Sequence, residues 1–538
     1  MNYFLYMYLV CFVGTHFGIL RATWAEDMLK QMTLEQKIGQ LIVVAATENP
    51  SGHFNLNLKY LSHLITRFGI GGIIFFGMPT AKEQCTITRY LQSISKIPLL
   101  IMQDAEWGLG MRIEDCISFP HALTLGAITN NDLIYKLGFE IGRQCARMGI
   151  HINGSPVADI LTEYRSVIGM RSFGDNPINV ATKSVYFMHG LQDAGIIACA
   201  KHFPGHGNTS VDSHDFLPII TKTRLELENN DIVPFQYLIA SGIKSIMIGH
   251  LAIPALDNTN IPVSLSPLIV DTMIRQQYAF DGLIMPDALR MTSIVHTVPA
   301  NQDALYAFIA GHDILLSPTN TPQSYYVLLN AARTGIISET DIDKRVYKIL
   351  QAKEACMTAG NCLPSDHLEF LWRPEAYMLQ QQLYEHAITL VYDTSHVVPL
   401  SKQQQYYYIT LNNNKESLFI KELKKYYHIK KIHKNTGKKI IKKLKTKAPV
   451  ILPIIGTTIN ASILPIIHTL ITDIQMQGNP VILVLCCPPF ILQDLTKADA
   501  CLVAYESCKV AQEAAARALA GIIPMPARLP ITIKSKRQ

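Results

Sequence analysis

Residues 196–206 read Ile196-Ile197-Ala198-Cys199-Ala200-Lys201-His202-Phe203-Pro204-Gly205-His206. Five apolar residues in succession leave no solvated face, so this run reads as a strand buried on both sides, as in a parallel sheet covered by helices. It ends in two cationic-type side chains and opens into a polar, glycine-bearing loop, Gly205-His206-Gly207-Asn208-Thr209-Ser210-Val211-Asp212-Ser213-His214. Similar short runs recur at Ile42 to Ala46, Gly71 to Phe76, Pro98 to Met102, Ile150 to Val157, Ser245 to Ile248, Gly282 to Met285 and His312 to Leu316, with helical stretches between them. One of those stretches starts from a capping box, Thr33-Leu34-Glu35-Gln36. Eight buried strands alternating with helices predict parallel pairing and a (β/α)8 barrel of the TIM type. An open doubly wound sheet is the alternative, but no G-x-G-x-x-G follows the first run.

The chain has 538 residues, too many for one ordinary core, and 49% are apolar. A second set of buried-type runs begins beyond Pro374: Ala387 to Val391, Tyr406 to Leu411, Val450 to Ile455, Val481 to Leu485 and Ala500 to Ala504. With the Ala-rich helix Lys509 to Ala520 they predict a smaller α/β sandwich. Pro364 to Tyr377 reads as the linker. The expected organisation is an export signal over 1–22, a barrel over 23–363 and a sandwich over 378–538.

The net charge of +6 comes from one place, because Lys415 to Lys447 holds thirteen lysines against two glutamates. The remainder is therefore net acidic. The lysine run reads as a solvated face, and loose attraction to an anionic polymer or membrane surface is the other reading. No nucleic-acid motif accompanies it. Leu5 to Leu20 is too short for a stable membrane span. It reads as a signal peptide with cleavage near Ala22 or Ala25, although Met1-Asn2-Tyr3-Phe4 carries no Lys or Arg. Export to the periplasm or outside is expected, with a cytoplasmic location as the alternative. The eleven cysteines are scattered. No metal site and no disulfide framework is expected; Cys356 and Cys362 could close a small loop in an oxidising compartment, but most of the eleven read as buried free thiols.

Ionisable residues follow five successive strands. Asp104 and Glu106 follow the third, Asp159 ends the fourth with Arg171 in the loop beyond, and Lys201 and His202 end the fifth. His250 follows the sixth and Asp287 the seventh. Taken singly, Asp287 could cap the next helix, Lys201-His202 could be a satisfied core pair, and Arg171 could be a structural ion pair. Together they fall where a (β/α)8 barrel builds its active site. That placement favours a nucleophile at Asp287 and a substrate role for Lys201 and His202. Asp212 and His214, two apart on a flexible loop, can meet if the loop turns, and a carboxylate behind an imidazole makes a general acid/base. Zinc binding by His202, His206, Asp212 and His214 is the rival, but the spacing fits no standard pattern.

The segment Lys201 to Thr209 followed by Asp212-Ser213-His214 closely resembles the signature of family 3 β-N-acetylglucosaminidases. Asp104-Ala105-Glu106-Trp107-Gly108-Leu109-Gly110-Met111-Arg112 resembles the start of that family's sugar site, and Asp287-Ala288-Leu289 with Met291 its nucleophile motif. Ala498-Asp499-Ala500 to Arg528-Leu529-Pro530 is similar to the close of its second domain. The resemblance implies a retaining hydrolase in which Asp287 forms a glycosyl-enzyme and His214, assisted by Asp212, is the acid/base. Asp104, Arg171, Lys201 and His202 would bind the terminal sugar's hydroxyls with Arg112 close by. It implies N-acetylglucosamine at that site, often from a cell-wall glycan or muropeptide, and no cofactor. Three departures stand out: Asn208 where Asp is common, Pro286 where Ser or Thr is common, and Arg290 where a small or amide residue is usual. They keep open a weakened sugar- or peptidoglycan-binding protein. A phosphorylase or a β-glucosidase of the same family are the further alternatives.

Overall fold

The computed structural model describes residues 23–47, 56–163, 166–209, 216–411, 416–432, 447–456 and 463–533. The apolar leader, and with it the expected signal peptide, lies outside the described residues, as do Asp212 and His214.

Each of the eight predicted runs holds one strand: β1 (Ile42–Ala45), β2 (Gly72–Phe75), β3 (Leu100–Gln103), β4 (Ile152–Asn153), β5 (Ile197–Phe203), β6 (Ser245–Ile248), β7 (Leu283–Pro286) and β8 (Leu315–Leu316). They are hydrogen-bonded in the order β7-β6-β5-β4-β3-β2-β1-β8, and every pairing is parallel. This is the barrel expected from the sequence, not the open doubly wound sheet. The fourth run is shorter than read because Pro156 has no amide to give the ladder. The capping box forms as read: Thr33 accepts from the Gln36 amide, and Gln36 accepts from the Thr33 amide at 2.9 Å.

Between β7 and β8 the regular ladder gives way to individual hydrogen bonds. The amides of Asp313 and Ile314 donate to the Ile284 carbonyl at 2.8 and 3.2 Å, and those of Leu289 and Arg290 donate to Leu316 and Ser317. The buried Asp313 carboxylate accepts the Ile284 amide at 2.7 Å and pairs with Arg275. Arg275 in turn donates to the carbonyls of Phe280 and Gly282. One side-chain pair therefore completes the seam that the backbone leaves partly open.

The second unit has six strands, β9 (Thr389–Asp393), β10 (Tyr406–Ile409), β11 (Ile429–Ile432), β12 (Val450–Ile455), β13 (Val481–Cys486) and β14 (Ala500–Val503). Their order is β11-β10-β12-β13-β14-β9, parallel except for β9 against β14. Side chains alternate between two cores. Ile482, Val484 and Cys486 face the layer of Leu418–Leu423 and Lys509–Leu519, while Val481, Leu483 and Leu485 face Leu464–Gln475. The sequence reading missed β11, whose Ile-Lys-Lys-Ile pattern looked like part of a solvated lysine run. It is an edge strand, where lysine is a common guard against further pairing. The segment Pro364 to Tyr377 is packed. Trp372 Nε1 donates to the Asp115 carbonyl at 2.6 Å, and the helix Pro374–Ala387 begins inside it. That helix contributes Leu383 and Ala387 to the barrel core and Tyr384 to the sandwich core. Cys356 and Cys362 are both free thiols. Among the described residues, no helix is long and apolar enough to cross a membrane.

Asp313→Ala leaves the Arg275 guanidinium unpaired and the Ile284 amide without its carboxylate. A destabilisation of about 3–5 kcal/mol is expected in urea denaturation. Asp313→Asn, which keeps an acceptor for the amide, should lose less.

Candidate active site

The ends of β3, β5 and β7 converge on a cavity of about 510 Å³ whose lining includes Asp104, Arg112, Arg171, Lys201, His202 and Asp287. Six of the eight residues given a catalytic or binding role from the sequence are thus brought together; the other two, Asp212 and His214, lie outside the described residues. Phe76, Trp107 and Arg290 also line it.

The floor is a chain of alternating charge. Lys201, 2% exposed, sets its ammonium 2.7 Å from Asp104 Oδ1 and 2.9 Å from Glu106 Oε1. Arg171 grips Glu106 with two bonds of 2.9 and 2.7 Å, and Arg112 reaches Asp104 Oδ2 at 3.3 Å. Burial pushes both carboxyls up. The opposing cations outweigh it: Lys201 and Arg112 hold Asp104, and Arg171 and Lys201 hold Glu106, below the usual carboxylate range. The same pairing raises Lys201 and Arg171 against the downward push of burial. Arg171 is therefore both readings at once, an ion pair and a lining residue. The close packing depends on Gly154, where a Cβ would fall 2.1 Å from Asp104 Oδ1 and 3.4 Å from Lys201 Nζ.

Asp159, fully buried after β4, holds the end of β5. It accepts from the His202 amide at 3.2 Å, from His202 Nδ1 at 2.7 Å and from the His206 amide at 2.7 Å. Burial raises its carboxyl, but the His202 and His206 interactions bring it below its ordinary value. An ionised carboxylate only accepts, so His202 Nδ1 carries a proton and its ring is fixed from behind. Asn208 accepts from Thr162 Oγ1 at 3.1 Å, so the amide found where Asp is common still holds the loop base.

Asp287 follows β7 directly. Its amide donates to Ile248 O at 2.9 Å, continuing the ladder to β6, and its Oδ1 accepts the Ala288 amide at 2.7 Å. Burial would raise this carboxyl, yet His202, His250 and the Ala288 amide bring it down to about 2. His250 lies behind it, with Nδ1 2.7 Å from Ser264 Oγ and Nε2 3.1 Å from the Ala288 carbonyl. Arg290 is in the cavity wall, with Nη1 donating to the Thr47 carbonyl at 3.3 Å. Arg112 and Arg290 lie 5.3 and 6.0 Å from the Phe76 ring centre. Among the described residues, no three His, Cys, Asp or Glu side chains are grouped as metal ligands.

Glu106 and Asp159 were legible as strand-end carboxylates, but nothing in the local pattern assigned either a role. Phe76 was read only as the end of the second apolar run, and Trp107 only as part of the segment that follows the third strand, with no role for either side chain. Chemically, the site offers a carboxylate held ionised at neutral pH in one cavity with a fixed set of donors and acceptors, the arrangement needed to bind hydroxyl groups and attack an electrophilic carbon.

Residues 33–352 match the model of the glycosyl hydrolase family 3 N-terminal domain. Among curated proteins, the chain is 26% identical to a β-N-acetylglucosaminidase/β-glucosidase of Cellulomonas fimi, covering 71% of this chain and 68% of that one. It is 29% identical to β-hexosaminidase A of Pseudoalteromonas piscicida, over 69% of each. Among solved structures, it resembles a glycoside hydrolase family 3 β-N-acetylglucosaminidase from Paenibacillus sp. FPU-7. The TM-score there is 0.75 with 27% identity, covering 94% of this chain and all of that one.

The depressed carboxyls make a pH prediction. Groups held below their unfolded values contribute stability that is full above those values and lost as pH falls through the folded ones. The wild-type melting temperature should therefore begin to fall below about pH 5 and keep falling toward about pH 2. Lys201→Met removes the cation shared by Asp104 and Glu106. It should lower stability at neutral pH and flatten the fall; parallel melting curves at every pH would contradict this account of the floor.

Proposed function

The chain belongs to glycosyl hydrolase family 3, and from that premise we propose that it is a retaining exo-glycosidase releasing terminal β-linked N-acetylglucosamine from cell-wall-type glycans. The observation that carries the reading is Asp287, ionised and held at the end of β7 in the same cavity as Asp104, Lys201 and His202. The names of the similar proteins support the sugar.

In this reading the terminal sugar sits on the charged floor. Asp104 accepts hydrogen bonds from its hydroxyls, while Lys201, His202, Arg171 and Arg112 donate to them. Asp287 attacks the anomeric carbon as the glycosidic bond breaks and becomes a glycosyl ester. His214, supported by Asp212, gives its proton to the departing oxygen, then takes one from the water that cleaves the ester. The nucleophile stays ionised down to about pH 2, so a loss of activity in mild acid belongs to another group. A cavity of about 510 Å³ lies within the range of small-molecule sites and suits a chain end. The apolar residues ahead of Ala22 support export before the enzyme meets its glycan.

The test is release of a chromophore from an aryl β-N-acetylglucosaminide. Asp287→Ala should remove at least ~10³-fold of kcat, because the proposed ester forms on this carboxylate. Equal rates in wild type and variant would end the assignment. The aryl glucoside should turn over more slowly. Comparable rates would shift the reading to a β-glucosidase, and sugar 1-phosphate formed in phosphate buffer would shift it to a phosphorylase.

A further inference from the structure

We propose that Glu506, in the second domain, is a positioning residue for the sugar pocket, acting through His121 on Trp107. The proposal rests on the sugar-site reading above.

Glu506 follows β14, and its side chain is 13% exposed. It receives four donors. Oε1 accepts the His121 amide at 2.9 Å and Thr124 Oγ1 at 2.6 Å. Oε2 faces His121 Nδ1 at 2.8 Å and accepts Tyr384 Oη at 3.0 Å. His121 and Thr124 belong to the barrel, and Tyr384 belongs to the helix that joins the two cores. The far face of the imidazole meets Trp107, with ring centres 4.5 Å apart and planes tilted by 36°. Trp107 lines the cavity next to Glu106, whereas His121 does not reach it. The order is therefore sandwich carboxylate, barrel imidazole, indole, sugar pocket.

Four donors on one carboxylate fix its orientation, and the carboxylate fixes the ring that backs the indole. An indole held at one tilt presents a ready apolar face for a sugar ring, so less freedom is lost on binding. The charges support the arrangement. Burial opposes ionisation of both partners, but the bonds to His121 and Thr124 hold Glu506 low, and Glu506 with more distant Glu106 raises His121. The other titratable groups in contact are Tyr384, which burial and Glu506 raise, and Cys508 beside it, which burial raises. A cationic imidazole against an indole face adds a further attraction.

A second contact from the same domain reaches the loop of Arg171. The Asp175 amide donates to Pro530 O at 3.1 Å, and the Thr532 amide donates to Asp175 Oδ2 at 2.5 Å. Gly174, at φ +140°, allows this approach, since a Cβ there would lie 2.2 Å from Pro530 O.

The experiment uses the full chain with Trp24→Phe and Trp372→Phe, which leaves Trp107 as the sole tryptophan. Its fluorescence should titrate with His121, since a protonated imidazole quenches a stacked indole, with a midpoint above the ordinary imidazole value. Glu506→Gln should lower that midpoint by about one pH unit. On the aryl β-N-acetylglucosaminide it should raise KM about tenfold while changing kcat much less, the mark of lost ground-state binding. Glu506→Asp should recover part of both. An unchanged midpoint and unchanged KM would overturn the proposal, as would equal losses in kcat and kcat/KM. Should Glu506→Gln fail to fold, His121→Gln keeps a donor toward Glu506 but removes the ring behind Trp107. The same rise in KM is expected, and wild-type KM refutes the link. If the wild type turns over no sugar, the functional reading has failed, yet the fluorescence titration still decides whether Glu506 governs the Trp107 environment.

Discussion

The ammonium of Lys201, buried between the carboxylates of Asp104 and Glu106, is the constraint around which the rest of the barrel mouth is arranged. A charge at that depth is tolerated only with close partners and completed hydrogen bonds. Two carboxylates against one ammonium leave a surplus, which Arg171 and Arg112 take up at either end of the chain. The backbone yields room for it, because only glycine fits at Gly154 against the Asp104–Lys201 pair. Such networks are often no more stabilising than well-packed apolar side chains of the same volume. Stability alone does not account for this one. What it secures is a set of ionised, immobile groups at the opening of the cavity, where a polar ligand exchanges its water for fixed partners.

Asp287 is set up by different means. Among the described residues no ion pair is made by its carboxylate, and its low proton affinity comes from His202, His250 and a backbone amide acting together. In the proposed reading, a lysine or arginine in direct contact would compete with the bond that Asp287 has to form as nucleophile. Imidazoles at a remove lower the carboxyl without occupying it. Asp159 serves the same end indirectly, because it orients His202 while bonding the amides at both ends of the turn from His202 to His206.

Much of this was legible because two periodicities coincide in the sequence. Short runs rich in apolar residues marked the eight barrel strands, and the ionisable residues past five of them marked the cavity. Reading failed where the local pattern is ambiguous or the partner is remote. Ile429–Ile432 hid its strand because two lysines on a short edge look the same as two lysines in a loop. The β7–β8 seam was invisible because Arg275 and Asp313 are ordinary charges until the barrel brings them together. Glu106 and Asp159 were seen as strand-end carboxylates, but an isolated carboxylate does not announce which cation or imidazole it will meet. Glu506 and His121 are 385 positions apart, and neither has a neighbour that forecasts the other.

That last separation bears on why two domains accompany one cavity. The site's walls are loops, and loops ordered only by their own bonds sample other geometries. Here the loops are held from two directions. Inside, the charged floor ties β3, β5 and the Arg171 loop together. Outside, the second sheet supplies Glu506 behind the Trp107 wall and Pro530 behind the Arg171 loop. The Arg528 amide adds a bond to the Ala127 carbonyl on the same side. The sandwich core and the pocket are thus mechanically linked, although among the described residues none of the sandwich side chains lines the cavity. A loosening of the C-terminal segment around Pro530 would reach the cavity through Arg171 and Glu106, and so through the partners of Lys201, before it exposed any barrel strand.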